Sequence, residues 1–468
     1  MTPPVRVLAA GAGAPSLRLS PADVAAAWGL SAGKGGLAVC SDDEDALTIA
    51  WQAASRAVEA AGLEPGDVDG MWWGTTRPPF AEGPSFAFLA AALGLRRHLA
   101  GALLAGSPHA GIEALLAAWD AVAAGSTEVA VVVASDALVP GLGTLLETRT
   151  GAGAAALVLA RAGGTAALTT RVTHTRPVLD RYRGDGEPTT RDLYDPRLFR
   201  EEVFVPAVVE AGRAVVAGTD VRAWSLPDPD GRMAAAVAKK LGADNSPSAT
   251  VYADFGDTGA AAPLLGLLGA LDRPGTVATV GYGGGRTTAV TVAVEAAVPG
   301  AGPGAVADAL AGGQPADYAR VLRARRELVA SGDPVPMGVP PGSAGFVRGN
   351  LEMLGLLGAR CVDCGTVNIP PSIHPACTGC GGGKLEEVAL ARHGTVHTFV
   401  VNQTMPAPFV APLPLVVVDL DDGARVMLQG TSADASSFAI GDRVGLALRR
   451  YALERGVPVY GYKVEREL

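Results

Sequence analysis

Cysteine is scarce in this chain: there are five in 468 residues, and four of them stand at 361, 364, 377 and 380. Outside that cluster only Cys40 remains, so neither a disulfide framework nor an ordinary cysteine nucleophile has the material it needs. Charge is sparse as well, at 18% of residues with a net charge of -9. A chain of that balance offers no overall electrostatic support for binding nucleic acid or an anionic membrane. No apolar run of about 18 residues escapes interruption by glycine or charge, so no membrane span is expected. The opening "MTPPVRVLAAGAGAPS" lacks the basic start and apolar core of a signal peptide, which points to the cytoplasm.

Small and apolar residues are abundant. The sequence is 49% hydrophobic and holds 61 glycines and 34 prolines, a composition that suits tightly packed α/β layers joined by short turns. Its length predicts two or three domains. "VDGMWWGTT" (68–76), "EVAVVVAS" (128–135) and "AAALVLAR" (154–161) read as buried strands, and "EDALTIAWQAASRAVEAAGL" (44–63) as a helix with an acidic start and Gly62 at its end. A polar, irregular stretch covers about 174–200. After it the order of elements repeats: helix in 204–218, strand in 222–227, helix in 231–242, strand in "ATVYADFG" (249–256), helix in 258–272 and two strands in 276–294. This predicts two halves of similar architecture, 1–165 and 166–300. Residues 301–344 form a linker and a charged helix, "DYARVLRARRELV", expected to be a solvated surface element. Residues 345–385 form a zinc ribbon, and 386–468 a small β-barrel of short strands.

"CVDCGTVNIPPSIHPACTGC" is the most specific motif. Two C-x2-C turns twelve residues apart can hold Cys361, Cys364, Cys377 and Cys380 tetrahedrally about one structural Zn²⁺. Four thiolates close that shell, so His374 between the knuckles is expected to be a loop residue. The ribbon and the barrel after it resemble, over 345–468, the OB-fold proteins with an N-terminal zinc ribbon that accompany thiolases. The resemblance implies acyl-CoA handling or docking of a thiolase partner. Nucleic acid is not expected there, because the barrel segment has few aromatics and no dense basic groove.

The N-terminal 330 residues resemble the thiolase superfamily, closest to its prokaryotic 3-hydroxy-3-methylglutaryl-CoA synthase branch. The likeness rests on "DEDALTIAWQAASRAV", "MWWGTTRPPFAEGPS", "LLAGSPHAGIEALL", "VVVASDA", "DPDGRMAAAVAKKLGA", "FGDTGAAAPLLGLLGALD" and "VGYGGGRTTAV", in the order the family has them. It implies an α/β duplicated thiolase-like layered fold, with the zinc ribbon and OB-fold β-barrel at its C-terminus. It also implies a homodimer, and a coenzyme A thioester or the phosphopantetheine of an acyl carrier protein as substrate.

The family's catalytic pattern is not retained. By the resemblance, the cysteine of the elbow falls at Pro108, the histidine at Pro227, the asparagine at Asp257 and the glutamate near Thr76. Three readings stay open. The first is carbon–carbon chemistry without a covalent intermediate, of aldol, retro-aldol or condensation type, as in cysteine-lacking thiolase-like aldolases that pair with zinc-ribbon OB partners. Its candidate groups are His109 and Asp257 for acid/base work and Tyr282 as hydrogen-bond donor, with Gly281, Gly283 and Gly284 lining the ligand and backbone N–H groups polarising the thioester. The second is acyl transfer, either direct or through Ser107 with His109 nearby. The third is a non-catalytic subunit that binds acyl-CoA or acts as a scaffold. The Ala/Gly/Arg-biased composition and the fused architecture fit specialised metabolism.

Overall fold

The computed structural model describes residues 4–192, 195–243, 251–328, 349, 351–405, 411–432, 438–454 and 457–467. The chain divides into two compact units. The first holds Met1–Cys40, Asp45–Phe86 and Leu95–Val321, and the second holds Ser41–Glu44, Ala87–Gly94 and Leu322–Leu468.

Nine strands of the first unit form one sheet: β1 (Arg6–Gly13), β2 (Gly70–Thr75), β3 (Ala100–Ala105), β4 (Val129–Ala137), β5 (Ala152–Ala160), β6 (Ala166–Thr175), β7 (Ala223–Ser225), β8 (Gly275–Gly283) and β9 (Arg286–Val294). Their spatial order is β7-β8-β9-β6-β1-β5-β4-β2-β3. From the central pair outward, one half runs β1, β5, β4, β2 through two antiparallel pairings and one parallel pairing. The other half runs β6, β9, β8, β7 through the same sequence of pairings. The duplication expected from the order of elements is therefore written into the sheet, and β3 is the one strand without a counterpart.

Five helices position the site: α1 (Ala46–Ala60), α2 (Ala110–Ala124), α3 (Val205–Val216), α4 (Met233–Leu241) and α5 (Ala262–Leu268). Successive strand residues point to opposite faces. Val132 and Ala134 of β4 and Val277 of β8 accordingly share one core with Ile112, Leu115 and Ala118 of α2 and with Leu264 and Leu268 of α5. Ala278 and Val280 of β8 turn the other way, into a core with Val208 of α3 and Val237 of α4. Asp45 caps α1 in a reciprocal capping box with Thr48, as its acidic start suggested.

Two expectations change. The described part of "ATVYADFG", from 251 on, is not a strand: Tyr252–Phe255 is a helical turn closed by Gly256 N–H to the Tyr252 carbonyl at 2.9 Å, and 249–250 lie outside the described residues. The buried pair is Tyr252 and Phe255, three residues apart, which is helical spacing that short alternation disguised. The central strands β1 and β6 also escape a hydrophobicity reading. β1 is built of small residues because α1 lies directly on it, so that a Cβ at Gly11 would stand 2.3 Å from the Ala53 carbonyl oxygen. β6 buries only its first three residues and then runs polar.

In the second unit, Leu357–Cys361 pairs with Val367–Asn368 and Leu385–Ala389 to form the ribbon. Five strands make the barrel, in the order Arg425–Gln429, Leu413–Leu420, His393–Asn402, Arg443–Glu454, Val457–Arg466. A bridge from Gly430 to Val464 brings its first and last strands together. Asp43 is fully buried in this unit, 3.0 Å from Lys463 Nζ. Burial works to raise its pKa, but Lys463 and Arg449 hold the carboxyl well below the usual range.

Candidate active site and metal centre

The elbow leaves β3 through Gly106, whose φ of +100° is a glycine conformation, and enters α2 at Ala110. Between them Pro108 faces a cavity. Tyr282, Phe199 and Phe204 form an aromatic wall of it, and Gly283, Pro227 and Pro263 add to the apolar lining. Tyr282 stacks edge-on against both phenylalanines, with ring centroids 5.9 and 5.0 Å away. The polar lining is Asp180, Arg181, Asp228 and Asp257.

Asp257 is nearly buried and held from two sides: Oδ2 accepts from Arg181 Nη1 at 2.7 Å and Oδ1 from Gly259 N–H at 3.0 Å. Arg181 also donates to Asp192 through Nε at 3.0 Å. Asp228 differs from it. It accepts from Met233 N–H at the start of α4, at 3.1 Å, and no lysine or arginine pairs with it among the described residues. Burial pushes its carboxyl up to about 6, and neighbouring Asp230 adds to the rise.

His109 does not line this cavity. Its ring is fully buried under the sheet, with Nε2 2.8 Å from Thr288 Oγ1. Nδ1 lies 3.2 Å from Glu113 Oε1, off the line of a hydrogen bond, and Glu113 pairs with Arg286. Burial, helped by Arg286, pushes the imidazole down to about 3, so it is neutral at ordinary pH. Ser107 and the His109 ring are not brought together either: Ser107 Oγ accepts from the backbone N–H of His109 at 3.2 Å.

The glycines separate by role. Gly281 faces Ile112 of α2, where an added Cβ would come within 2.7 Å. Gly283 lines the cavity and lies so near the elbow that a Cβ would meet His109 N at 2.7 Å and the Pro108 ring at 2.9 Å. Gly284 and Gly285, at φ +57° and +71°, make the tight turn of the β8–β9 hairpin, with Gly284 beside Ser107. Thr76 hands its hydroxyl to Asp136, which also accepts from Ala260 N–H at 2.9 Å. Asp136 is completely buried, and burial pushes it up to about 6 against those hydrogen bonds. Cys40 is half-buried at the end of Leu37–Val39 and does not line the cavity.

Sequence reasoning passed over Asp228, Arg181 and Asp136. Asp228 stood in the "PDPDG" motif beside Pro227 and could have been weighed there. Arg181 lies in the irregular stretch, where no local pattern marks it.

In the ribbon, the four sulfurs of Cys361, Cys364, Cys377 and Cys380 lie within 4.8 Å of one another. Cys361 to Cys380 is 3.6 Å and Cys364 to Cys377 is 3.5 Å. A tetrahedral zinc with bonds of about 2.3 Å sets its sulfurs roughly 3.8 Å apart, so the donor set fits a closed structural zinc. His374 is outside it, with Nε2 3.2 Å from the Ile369 carbonyl.

Comparison with known proteins agrees with this architecture. The hydroxymethylglutaryl-CoA synthase of Methanopyrus kandleri is 30% identical over 304 residues, 61% of this chain and 86% of that protein. The chain belongs to the hydroxymethylglutaryl-CoA synthase family. The fold of this family member is also that of a solved structure described as MvaS in complex with 3-hydroxy-3-methylglutaryl coenzyme A, with a TM-score of 0.60, 20% identity, and coverage of 72% of this chain and 96% of that one. Residues 355–386 match the family described as ChsH2, rubredoxin-like zinc ribbon domain, and 387–449 match ChsH2, C-terminal OB-fold domain. A DUF35 domain-containing scaffold protein of Methanothermobacter thermautotrophicus is 38% identical over 113 residues, 23% of this chain and 84% of that protein. This synthase homologue is thus fused to a zinc ribbon and an OB-fold barrel. Among the described residues no helix is long and apolar enough to cross a membrane.

Two outcomes are expected. Elemental analysis of the purified protein finds about one zinc per chain, and Cys361→Ser or Cys377→Ser removes it and lowers the melting temperature. His109, with a folded pKa below its ordinary value of 6.5, contributes stability that is complete above about pH 6.5 and is lost as the pH falls toward 3. Chemical denaturation from pH 7 to 4.5 should therefore give His109→Gln a shallower decline than the wild type, by up to about 1.4 kcal/mol per pH unit.

Proposed function

We propose that this chain acts on acyl thioesters of coenzyme A or of an acyl carrier protein, making or breaking a carbon–carbon bond without a cysteine-bound acyl intermediate, in specialised metabolism. Membership of a family of condensing enzymes supports the thioester. The observation that carries the rest is Pro108. It occupies the elbow beside the cavity and supplies neither a thiol nor, being proline, a backbone N–H. The elbow therefore lacks both the nucleophile and one N–H that could polarise a carbonyl at that position. What remains in the cavity suits proton transfer and polar contact: the Asp228 carboxyl, the Asp257–Arg181 pair and the Tyr282 ring.

Acyl transfer through Ser107 is less well supported, because its hydroxyl is engaged by the His109 N–H and the imidazole faces Thr288 instead. The ribbon and barrel are read as the part that handles acyl-CoA or docks a partner, in keeping with the relative named as a scaffold protein.

Labelled acetyl-CoA, acetoacetyl-CoA and 3-hydroxyacyl-CoAs, followed by thioester turnover and intact-protein mass spectrometry, test the reading. Turnover with no protein adduct is expected. A stable adduct abolished by Ser107→Ala would replace the proposal with acyl transfer, and neither adduct nor turnover would leave a binding or scaffold role.

A homodimer fits the exposed edge of the sheet, since β3 (Ala100–Ala105) is the terminal strand and is largely solvent-exposed. Light scattering should give twice the mass of one chain; a monomer at micromolar concentration would refute it.

A further inference from the structure

We propose that Asp228 is the proton-transferring group of this cavity, taking and returning the substrate proton beside Pro108. The inference rests on the reading of the cavity as a site of thioester carbon–carbon chemistry.

Of the carboxylates lining the cavity, two are committed elsewhere. Asp257 is tied to Arg181 Nη1 at 2.7 Å and to Gly259 N–H at 3.0 Å. Asp180 accepts from Arg181 N–H at 2.7 Å and is almost fully buried. Asp228 is the least buried of the three, and like Asp180 it has no guanidinium or ammonium partner among the described residues. Backbone N–H groups of Met233, Ala234 and Asp230 fix the carboxyl at the start of α4, so its direction does not depend on a ligand.

The loop supports the same assignment. Pro227 and Pro229 bracket Asp228 and restrict its backbone, which keeps the carboxyl in place between substrate turnovers. The charged and titratable groups around it are Asp230 on its own loop, Tyr252 from the helical turn packed on Gly231, and Asp257, Asp180 and Arg181 across the cavity. Three of these are acidic, and the one cation is already paired. Burial and Asp230 favour the protonated form of Asp228, the backbone N–H groups of Ala234, Met233 and Asp230 favour the charged form, and the balance brings its titration near the pH at which a base can also act as an acid.

The step balances without a further reactant. In the cleavage direction, the Asp228 carboxylate takes the proton of a 3-hydroxyacyl thioester's hydroxyl. The C2–C3 bond breaks, C3 becomes a carbonyl, and the electron pair passes to C2 as a thioester enolate. C2 then takes the proton back from the Asp228 carboxyl, leaving an acyl thioester. In the synthetic direction Asp228 removes a C2 proton and returns it to the new alkoxide.

Enolate formation can be read without knowing the natural acceptor, through exchange of deuterium from D2O into C2 of acetyl-CoA or of a longer saturated acyl-CoA. The full-length wild type should catalyse this exchange, with a rate that falls as the pH drops through about 6. Asp228→Asn should slow it by about 100-fold or more with KM little changed, and Asp228→Glu should restore part of the rate together with the acidic limb. Circular dichroism and melting temperature confirm that the variants fold. Wild-type exchange with an unaltered rate and pH profile in Asp228→Asn overturns the role of Asp228 and leaves the proposed function standing. A wild type that neither exchanges nor turns over any thioester overturns both.

Discussion

Three backbones meet at the heart of the first unit at distances only glycine permits, and the site depends on that meeting. A Cβ on Gly111 of α2 would stand 2.0 Å from the Ala260 carbonyl oxygen, and one on Gly283 of β8 would stand 2.7 Å from His109 N. The elbow, the hairpin and the turn ahead of α5 are thereby pressed together. Each comes from a different part of the chain, and each delivers one side of the cavity: Pro108, Tyr282 with Gly283, and Asp257 with Gly259. Overpacking at such contacts costs about 1–3 kcal/mol in ordinary cores. The glycines hold the geometry and leave the chemistry to their neighbours.

Around this junction the charges are arranged by depth. Under the sheet, His109 is kept neutral by burial and joined to Thr288, while the outer Glu113 and Arg286 neutralise each other. Asp136 is likewise buried and raised toward neutral pH, within a net of hydrogen bonds from Thr76 and Ala260. Asp257 carries its own counterion. Asp180 and Asp228 meet the cavity without one among the described residues, Asp180 almost fully buried and Asp228 less so.

Much of the fold was legible because the strongest cues are local. The capping box of α1, the buried runs of β2, β4 and β5 and the four-cysteine spacing need no knowledge of the rest of the molecule. The central strands were not legible, since β1 is small-residue by virtue of the helix lying on it and β6 is half polar. The turn at Tyr252–Phe255 imitated a strand over too few residues to betray its period. At the site, the elbow and its missing thiol could be read directly. His109 could not be placed, because which way a side chain turns at a helix start is fixed by what the opposite hairpin offers, here Thr288. Arg181 and Asp257 lie 76 residues apart and meet only in the folded chain.

The proline at the elbow also bears on timing. An enzyme that parks an acyl group on its own thiol can release one product before the second reactant arrives. A condensation at an elbow without that thiol has no such resting place, so donor and acceptor must occupy the cavity together. The order of events then passes from the protein's covalent chemistry to its capacity to seat two molecules side by side. Under the proposed chemistry, the aromatic wall of Phe199, Phe204 and Tyr282 would be the surface against which the pair is aligned.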